Sequence, residues 1–598
     1  AIISLFSRIR LIYQTLKSIS DSFSAVSHRV SLDPGLPHPN PSRSYWCSPS
    51  SSLDSRPKDA TLPEYADVVI IGSGISGTAI ARTLLDSQQG SDDVKEPLRV
   101  VMLEARDVCS GATGRNGGHI SPNTYQDYAE LAAGYGSQAA QQIIRYRLAH
   151  LPQLMKVAKE EGLLEASQAR VVEQFDAYLQ EGTYQKARKL FGGYVDAIPE
   201  ERNNYKMYEG EEAVKDLQLS SYITGCISRP GGAVHPYRLI TGILSRLLAV
   251  YPSFHLFTQT PCTSIAQSPS GYIISTPKGT LKTLHIVHAT NAWASHLLPE
   301  MRTKIIPVRV HMTAQRPGRS LGRDLTSDSD SFSIGSIRNW AGKRSFVFYP
   351  GASLSFFDYL TQFPLPSTPS SPSTLNDSNP VGAAKSPFPY PAPEGELLFG
   401  GGAALGGSGE AAMMQNVGVA DDSAVDFEIG AYLGGAMERY FEGWGAEGES
   451  SLNDDRKQDK AEEVEEKEEW GRGRMKAAWT GIIGISADGQ PWVGRVPGKV
   501  SGRGEPKISS SFSSESKATA SHSAASNLAA PGEWIAAGFT GEGMTHAWLA
   551  GVEVARMVLG SSATCSERDE TALPEQFLIT EKRWKETDWE AFLGGALG

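Results

Sequence analysis

The sequence predicts an α/β fold, and three features carry that prediction. The run "DVVII" from Asp67 is apolar and rich in β-branched residues, ends in closely spaced glycines and leads straight into a helix-forming stretch. A second apolar run, "LRVVMLEA", ends at Glu104. The composition, 40% hydrophobic residues with 11 tryptophans, supplies a large core. At 598 residues the chain is long enough for more than one domain. The reading is a Rossmann-type domain joined to a second domain of sheet plus helices.

Taken in order, the first element is "AIISLFSRIRLIYQTLKSIS". It has no acid before Asp21, and Leu5, Ile9, Ile12, Leu16, Ile19 and Phe23 fall on one helical face. Three roles fit this basic amphipathic helix: docking on the body of the protein, contact with a membrane surface, or mitochondrial targeting. Residues 31–63 are rich in proline and serine and read as an extended segment anchored by Tyr45 and Trp46. The N-terminal region is therefore 1–61, helix and linker together.

Regular structure begins at Asp67. In "DVVIIGSGISGTAI", Gly72, Gly74 and Gly77 form G-x-G-x-x-G between a strand and a helix, with Ile75 opening the helix. Gly72 permits the tight turn, Gly74 lets a pyrophosphate approach the backbone, and Gly77 lets helix and strand pack closely. Glu104, at the end of the second strand, is placed to hydrogen-bond a ribose diol. These features predict dinucleotide binding. A second glycine-rich stretch, "LLFGGGAALGGSG", has Leu405 where the third glycine belongs and reads as a strand end and turn.

"SGATGRNGGHISP" follows, from Ser110 to Pro122. Its row of small residues suits a backbone laid along a phosphate and a flat ring. At this point the chain resembles the FAD-dependent oxidoreductases of the D-amino acid oxidase and sarcosine oxidase family, and more closely the branch of gamma-glutamylputrescine oxidoreductase and its fungal relatives. "HIVHATNAWASHLLPEMRTKIIPVRVHM" (285–312), "DGQPWVGRVP" (488–497) and "WIAAGFTGEGMTHAWLAG" (534–551) resemble further segments of that family, so the likeness runs over roughly residues 62–560.

The resemblance implies FAD as cofactor. It assigns to FAD Gly72, Gly74, Ile75, Gly77, Glu104, Ala105, Arg106, Gly111, Ala112, Thr113, Arg115, Asn116, Gly117, Gly118, Cys262, Gly538, Gly541, Gly543 and Met544. A helix beginning near Met544 would aim its positive end at the flavin. The implied domains are a discontinuous FAD-binding domain (62–122, 225–300 and 475–560) and a substrate domain (123–224 and 301–446). An acidic insertion (447–474) and a C-terminal tail (561–598) remain.

The implied activity is oxidation of the C–N bond of a small amine or amino acid by hydride transfer to flavin, with oxygen as acceptor. No catalytic residue is assigned, because the flavin carries the chemistry. His119, Tyr359 and Gln362 are candidate substrate-binding residues, the last two from "SFFDYLTQ", which resembles the strand lining the family's pocket. Arg309 and Arg338 are candidates for a substrate carboxylate. Sarcosine oxidases carry a lysine where this chain has "GELLFGGG", so a dehydrogenase with another acceptor is an alternative, as is a flavin-holding assembly or trafficking factor without turnover.

Composition narrows the rest. Five scattered cysteines without a C-x-x-C pair argue against a disulfide framework or a metal site and predict a reducing compartment. The expected location is the cytoplasm, with the mitochondrion as alternative. The net charge of −11 argues against nucleic acid as partner, and the oligomeric state is left open. Three stretches read as mobile loop insertions without a catalytic role: Pro364–Pro393, Glu447–Trp470 and Ser509–Gly532.

Overall fold

A computed structural model of the chain describes residues 2–55, 61–88, 97–211, 217–269, 271–317, 340–364, 395–402, 414–442, 444, 470, 473–504, 506, 528–561 and 570–590. The three insertions lie almost wholly outside these residues, as does Arg338.

Two large sheets organise the protein. The first contains β1 (Tyr65–Ile71), β2 (Val100–Leu103), β7 (Phe254–Phe257), β8 (Ser264–Ser268), β9 (Gly271–Thr276), β10 (Gly279–His288), β16 (Trp492–Arg495) and β17 (Gly532–Ala537), with its main path running β16-β17-β10-β1-β2-β7. Strands β7, β2, β1, β10 and β17 are parallel neighbours. Such strands need cover on both faces, which is why β1 and β2 are buried almost throughout. Helix Ile75–Asp86 and helix Ala547–Val558 pack together on one face. They approach so closely that a Cβ on Gly551 would lie 2.7 Å from the Ser76 carbonyl.

The second sheet contains β3 (His119–Ile120), β4 (Arg170–Tyr178), β5 (Lys206–Glu209), β6 (Gly225–Ala233), β11 (Ile305–Gln315), β12 (Arg344–Tyr349), β13 (Asp358–Gln362), β14 (Leu397–Gly401) and β15 (Met475–Ser486). One face carries Phe175, Phe346, Phe348, Leu360 and Phe399, sealed by helices Phe427–Gly435 and Met437–Tyr440. Strand register puts Tyr359, Gly400, Met312 and Trp479 in one row on the other face. The glycine-rich loop of residues 110–118 lies against that row.

The strand assignments correct the expected boundaries. The ranges 225–300 and 475–560 place β6 and β15 with the nucleotide-binding sheet, but both are strands of the second sheet. The range 62–122 likewise takes in β3 of the second sheet; an apolar run declares a strand without declaring its partners, so boundaries read between motifs fell early at 225 and 475 and late at 122.

The first helix runs Ile2–Ser31. Its C-terminal end docks on the protein: Val26 and Val30 are buried with Ile306, Val308, Val417 and Trp589, and Phe23 stacks on Trp589 at 5.7 Å. Arg29 donates to the carbonyls of Val417 and Met414. Of the apolar face expected from Leu5 to Phe23, Phe23 joins that contact and Ile12 is 59% exposed, while the side chains of Leu5, Ile9, Leu16 and Ile19 lie outside the described ones. Among the described residues no helix is long and apolar enough to cross a membrane.

Candidate active site

A cleft of about 1270 Å³, counting the space open at its mouth, lies over the carboxyl ends of β1 and β2. Its floor is the first turn after β1. Gly72 has φ +109° and a Cβ there would lie 2.6 Å from the Ala289 carbonyl. A Cβ on Gly77 would lie 2.0 Å from the Gly72 carbonyl. Only glycine satisfies both, and the pair lets the helix start directly beneath the cleft. Thr113 Oγ1 accepts from Ile75 N at 3.0 Å and holds that helix start against the loop.

Glu104 is fixed in the same cleft. Its Oε2 accepts from Ser73 Oγ at 2.7 Å and Ser73 N at 3.1 Å, and its Oε1 accepts from Arg106 N at 3.1 Å. The carboxylate is thus pre-aimed and half-exposed toward the cleft.

The glycine-rich loop is clamped carbonyl by carbonyl. Ser44 donates to Gly114 O, Trp479 to Arg115 O, Trp46 to Asn116 O and Thr361 to Gly117 O. The glycines are the cost of this fit. A Cβ on Gly117 would lie 2.6 Å from the Tyr359 ring, and one on Gly118, at φ +72°, would lie 2.5 Å from Val234 O. A Cβ on Gly111, by contrast, would meet nothing within 4 Å, because it faces the cleft.

Of the residues assigned to FAD, the cleft is lined by Gly72, Gly74, Ile75, Glu104, Ala105, Arg106, Gly111, Ala112, Thr113, Asn116, Cys262, Gly541, Gly543 and Met544. Gly77, Arg115, Gly117, Gly118 and Gly538 stand behind this lining. Gly538 is held by Asn291, whose Oδ1 accepts its N–H at 3.0 Å. Arg115 does not reach for phosphate. Its guanidinium donates to Ser110 O, Thr480 O and Ser42 O, and its Nε lies 3.5 Å from Asp422. Arg106 makes the closer pair with Asp422 at 2.9 Å. One buried carboxylate therefore anchors two arginines that bind the loop to the rest of the chain. The helix after the third glycine motif also starts later than expected: a 3₁₀ turn spans Gly543–Thr545 and the α-helix begins at Ala547.

The candidate substrate residues separate. His119 and Tyr359 meet edge to face at 5.5 Å, on the sheet face that bears the glycine loop. Burial pushes His119 down to about 4, so it is neutral at ordinary pH, and its Nε2 has no partner. Gln362 is turned to the opposite face. It is buried, and its Oε1 accepts from Gly342 N at 3.1 Å, because β13 alternates and places residues 359 and 362 on different sides. Arg309 donates to the Asn416 side chain at 2.8 Å.

Several lining residues were not singled out from the sequence: Gly35, Leu36 and Pro37 of the N-terminal arm, and Thr290, Asn291 and Trp293 within the segment 285–312. Thr290 Oγ1 and Trp293 Nε1 are buried without a partner in the cleft wall. Such atoms are costly unless a ligand meets them, and a dinucleotide with its ribose hydroxyls and phosphates offers the groups they lack. The residues present thus fit FAD: a helix start for the pyrophosphate, a fixed carboxylate for the ribose, and a glycine loop for the flat ring.

Comparison with known proteins agrees with this geometry. Residues 67–557 match the model of the DAO family, FAD dependent oxidoreductase. The chain belongs to that family and is a FAD-dependent oxidoreductase. It is 21% identical over 290 residues to a protein of Haemophilus influenzae described as "Probable oxidoreductase OrdL", a match covering 46% of this chain and 61% of that protein. The chain thus spans less than two thirds of that relative. Its fold is similar to glycine oxidase from Geobacillus kaustophilus (TM-score 0.51, 15% identity, covering 87% of this chain and 99% of that one). It is also similar to L-proline dehydrogenase from P. horikoshii (TM-score 0.53, 16% identity, covering 88% and 100%).

Proposed function

We propose that the protein oxidises the C–N bond of a small amine or amino acid, with oxygen as the electron acceptor, and that its nearest functional kin are the gamma-glutamylputrescine oxidoreductase branch. The observation that carries the reading is the meeting of His119 and Tyr359 on the sheet face that bears the glycine loop, both against Gly117. When bound, FAD supplies the hydride acceptor. The protein's own part is to seat the substrate, exclude water and hold protons. The aromatic edge of Tyr359 and the neutral imidazole of His119 give an apolar wall with a polar tip, which suits a substrate carbon beside a nitrogen.

The family membership and the similar structures, among them a glycine oxidase and an L-proline dehydrogenase, support the substrate class. A same-fold dehydrogenase is the second reading, favoured by the lack of lysine in Glu396–Gly402. Turnover of glycine, N-methylglycine, L-proline and putrescine in air decides between them. The proposed oxidase forms an imine or its hydrolysis products, an oxo acid or aldehyde with the freed amino group (still within the same molecule for L-proline), and one hydrogen peroxide per turnover. Product without peroxide, dependent on an added electron acceptor, favours the dehydrogenase. No product from any of these sinks the C–N oxidation reading.

A further inference from the structure

We infer that Glu542 receives the substrate nitrogen and takes its proton before the C–N bond is oxidised, an inference that rests on the proposed C–N oxidation. Glu542 stands between Gly541 and Gly543, both lining the cleft. Its Oε1 is fixed by the Asn123 side-chain amide at 2.7 Å. Its Oε2 is sealed from solvent and has no hydrogen-bond partner. The nearest cationic atom is Arg147 Nε at 3.7 Å, and His546 Nδ1 lies at 3.9 Å. A sealed carboxylate oxygen without a donor is expensive, and a bound ammonium N–H is the donor that relieves it.

His119 Nε2, Ser121 Oγ and two nitrogens of Arg229, Nε and Nη1, are buried without hydrogen-bond partners, with Arg229 Nε 3.9 Å from the Asp176 carboxylate. The remaining Arg229 nitrogen, Nη2, donates to Pro122 O at 2.5 Å. Arg229 is paired in register with Gln174, and a Cβ on Gly231 would touch both Ser121 Oγ and the Gln174 side chain. The charge of Arg229 acts on both His119 and Glu542. Strand register puts His119, Gly231 and Arg229 on one face of the second sheet.

The proton step is redox-neutral. An N–H bond of the substrate ammonium breaks, an O–H bond forms at Glu542 Oε2, and the electron pair stays on nitrogen. That lone pair is what allows hydride to leave the adjacent carbon. The surroundings fit the role. Burial raises the Glu542 carboxyl to about 7 against the pull of Arg147, with Asp127 adding to the rise and Arg229 and the Asn123 hydrogen bond opposing it. The facing histidines do not compete: burial pushes His119 and His150 down to about 4, and His546 well below its ordinary value. A base tuned close to the working pH is the efficient one.

The test uses the flavin-loaded full-length protein with Glu542→Gln and Glu542→Asp. Infrared difference spectra, wild type minus Glu542→Gln, report the carboxyl without any substrate. Anaerobic flavin reduction by glycine, N-methylglycine, L-proline and putrescine is followed across pH in parallel. The expected result is a protonated-carboxyl band that titrates near pH 7. The reduction rate should rise through the same pH, and Glu542→Gln should be slowed about 100-fold or more and lose that limb. Glu542→Asp should keep the limb. A carboxyl already ionised at pH 5, or Glu542→Gln reduced at the wild-type rate with the same limb, overturns the proton transfer alone. A wild type that none of the four probes reduces, with the infrared band in place, overturns the C–N oxidation and the proton transfer with it.

Discussion

The indole N–H of Trp46 donates to the main-chain carbonyl of Asn116, tying the N-terminal arm to the glycine-rich loop. The arm then continues the contact on both sides: Ser44 donates to Gly114 O, and Gly35, Leu36 and Pro37 form part of the cleft wall. Trp46→Phe keeps most of the buried ring and loses one hydrogen bond of about 1 kcal/mol. FAD should bind about fivefold more weakly, with near wild-type thermal stability of the apoprotein. Fluorescence titration of FAD checks this, and unchanged affinity would mean the arm only covers the site.

Two glycines in the cleft should respond differently to the same change. Gly77→Ala drives a Cβ to 2.0 Å from the Gly72 carbonyl and should leave little soluble protein. Gly111→Ala meets nothing within 4 Å of the new carbon, so the chain should fold normally and yet retain less flavin. Circular dichroism and bound-flavin content, measured on both variants, separate folding from binding. Full flavin content in Gly111→Ala would mean the loop does not border the cofactor.

Glu104 should matter through its charge and its aim. The two contacts from Ser73 leave its carboxylate oriented before ligand arrives. Glu104→Ala removes a charged acceptor, which for one or two such hydrogen bonds costs about 2–4 kcal/mol of affinity. That corresponds to a rise in the FAD dissociation constant of at least about 30-fold, readable by calorimetry.

A buried ion pair gives the acid side of the stability profile. Burial alone would raise Glu533, but hydrogen bonds from Arg503 and His288 and their charges hold its carboxyl down at about 2. Arg503 Nη2 lies 2.7 Å from the carboxylate and His288 Nε2 lies 3.0 Å away. A carboxyl depressed in the folded state stabilises above its unfolded value, near 4.5, and that contribution is lost as pH falls through about 2. At neutral pH, Glu533→Gln should cost about 3 kcal/mol in denaturant unfolding. The gap between wild type and variant should close steadily between pH 4.5 and 2. A constant gap would assign the effect to packing.

Much of the cleft was legible in the sequence because its chemistry is local. Gly72, Gly74, Gly77 and Glu104 lie within two strands and one helix, and their spacing alone states what each does. The contacts that complete the site span long distances along the chain and leave no periodic trace. Arg115 and Asp422 come together only in the folded protein, so the arginine that the resemblance assigned to FAD stands behind the lining as a brace of the loop. Gln362 was misread for a simpler reason: a strand that begins at Asp358 puts Tyr359 and Gln362 on opposite faces. Glu542 sat unremarked between two glycines, since only burial and the missing partner of Oε2 set it apart.

The central claim is a flavin held in the cleft and reduced by a C–N substrate. It is tested most directly by anaerobic mixing of the purified, FAD-loaded protein with glycine, N-methylglycine, L-proline and putrescine while the oxidised-flavin band is recorded. The account predicts one flavin per chain and full bleaching of the band by at least one of these compounds, with recovery when air is readmitted. A stably bound flavin that none of them bleaches would contradict it.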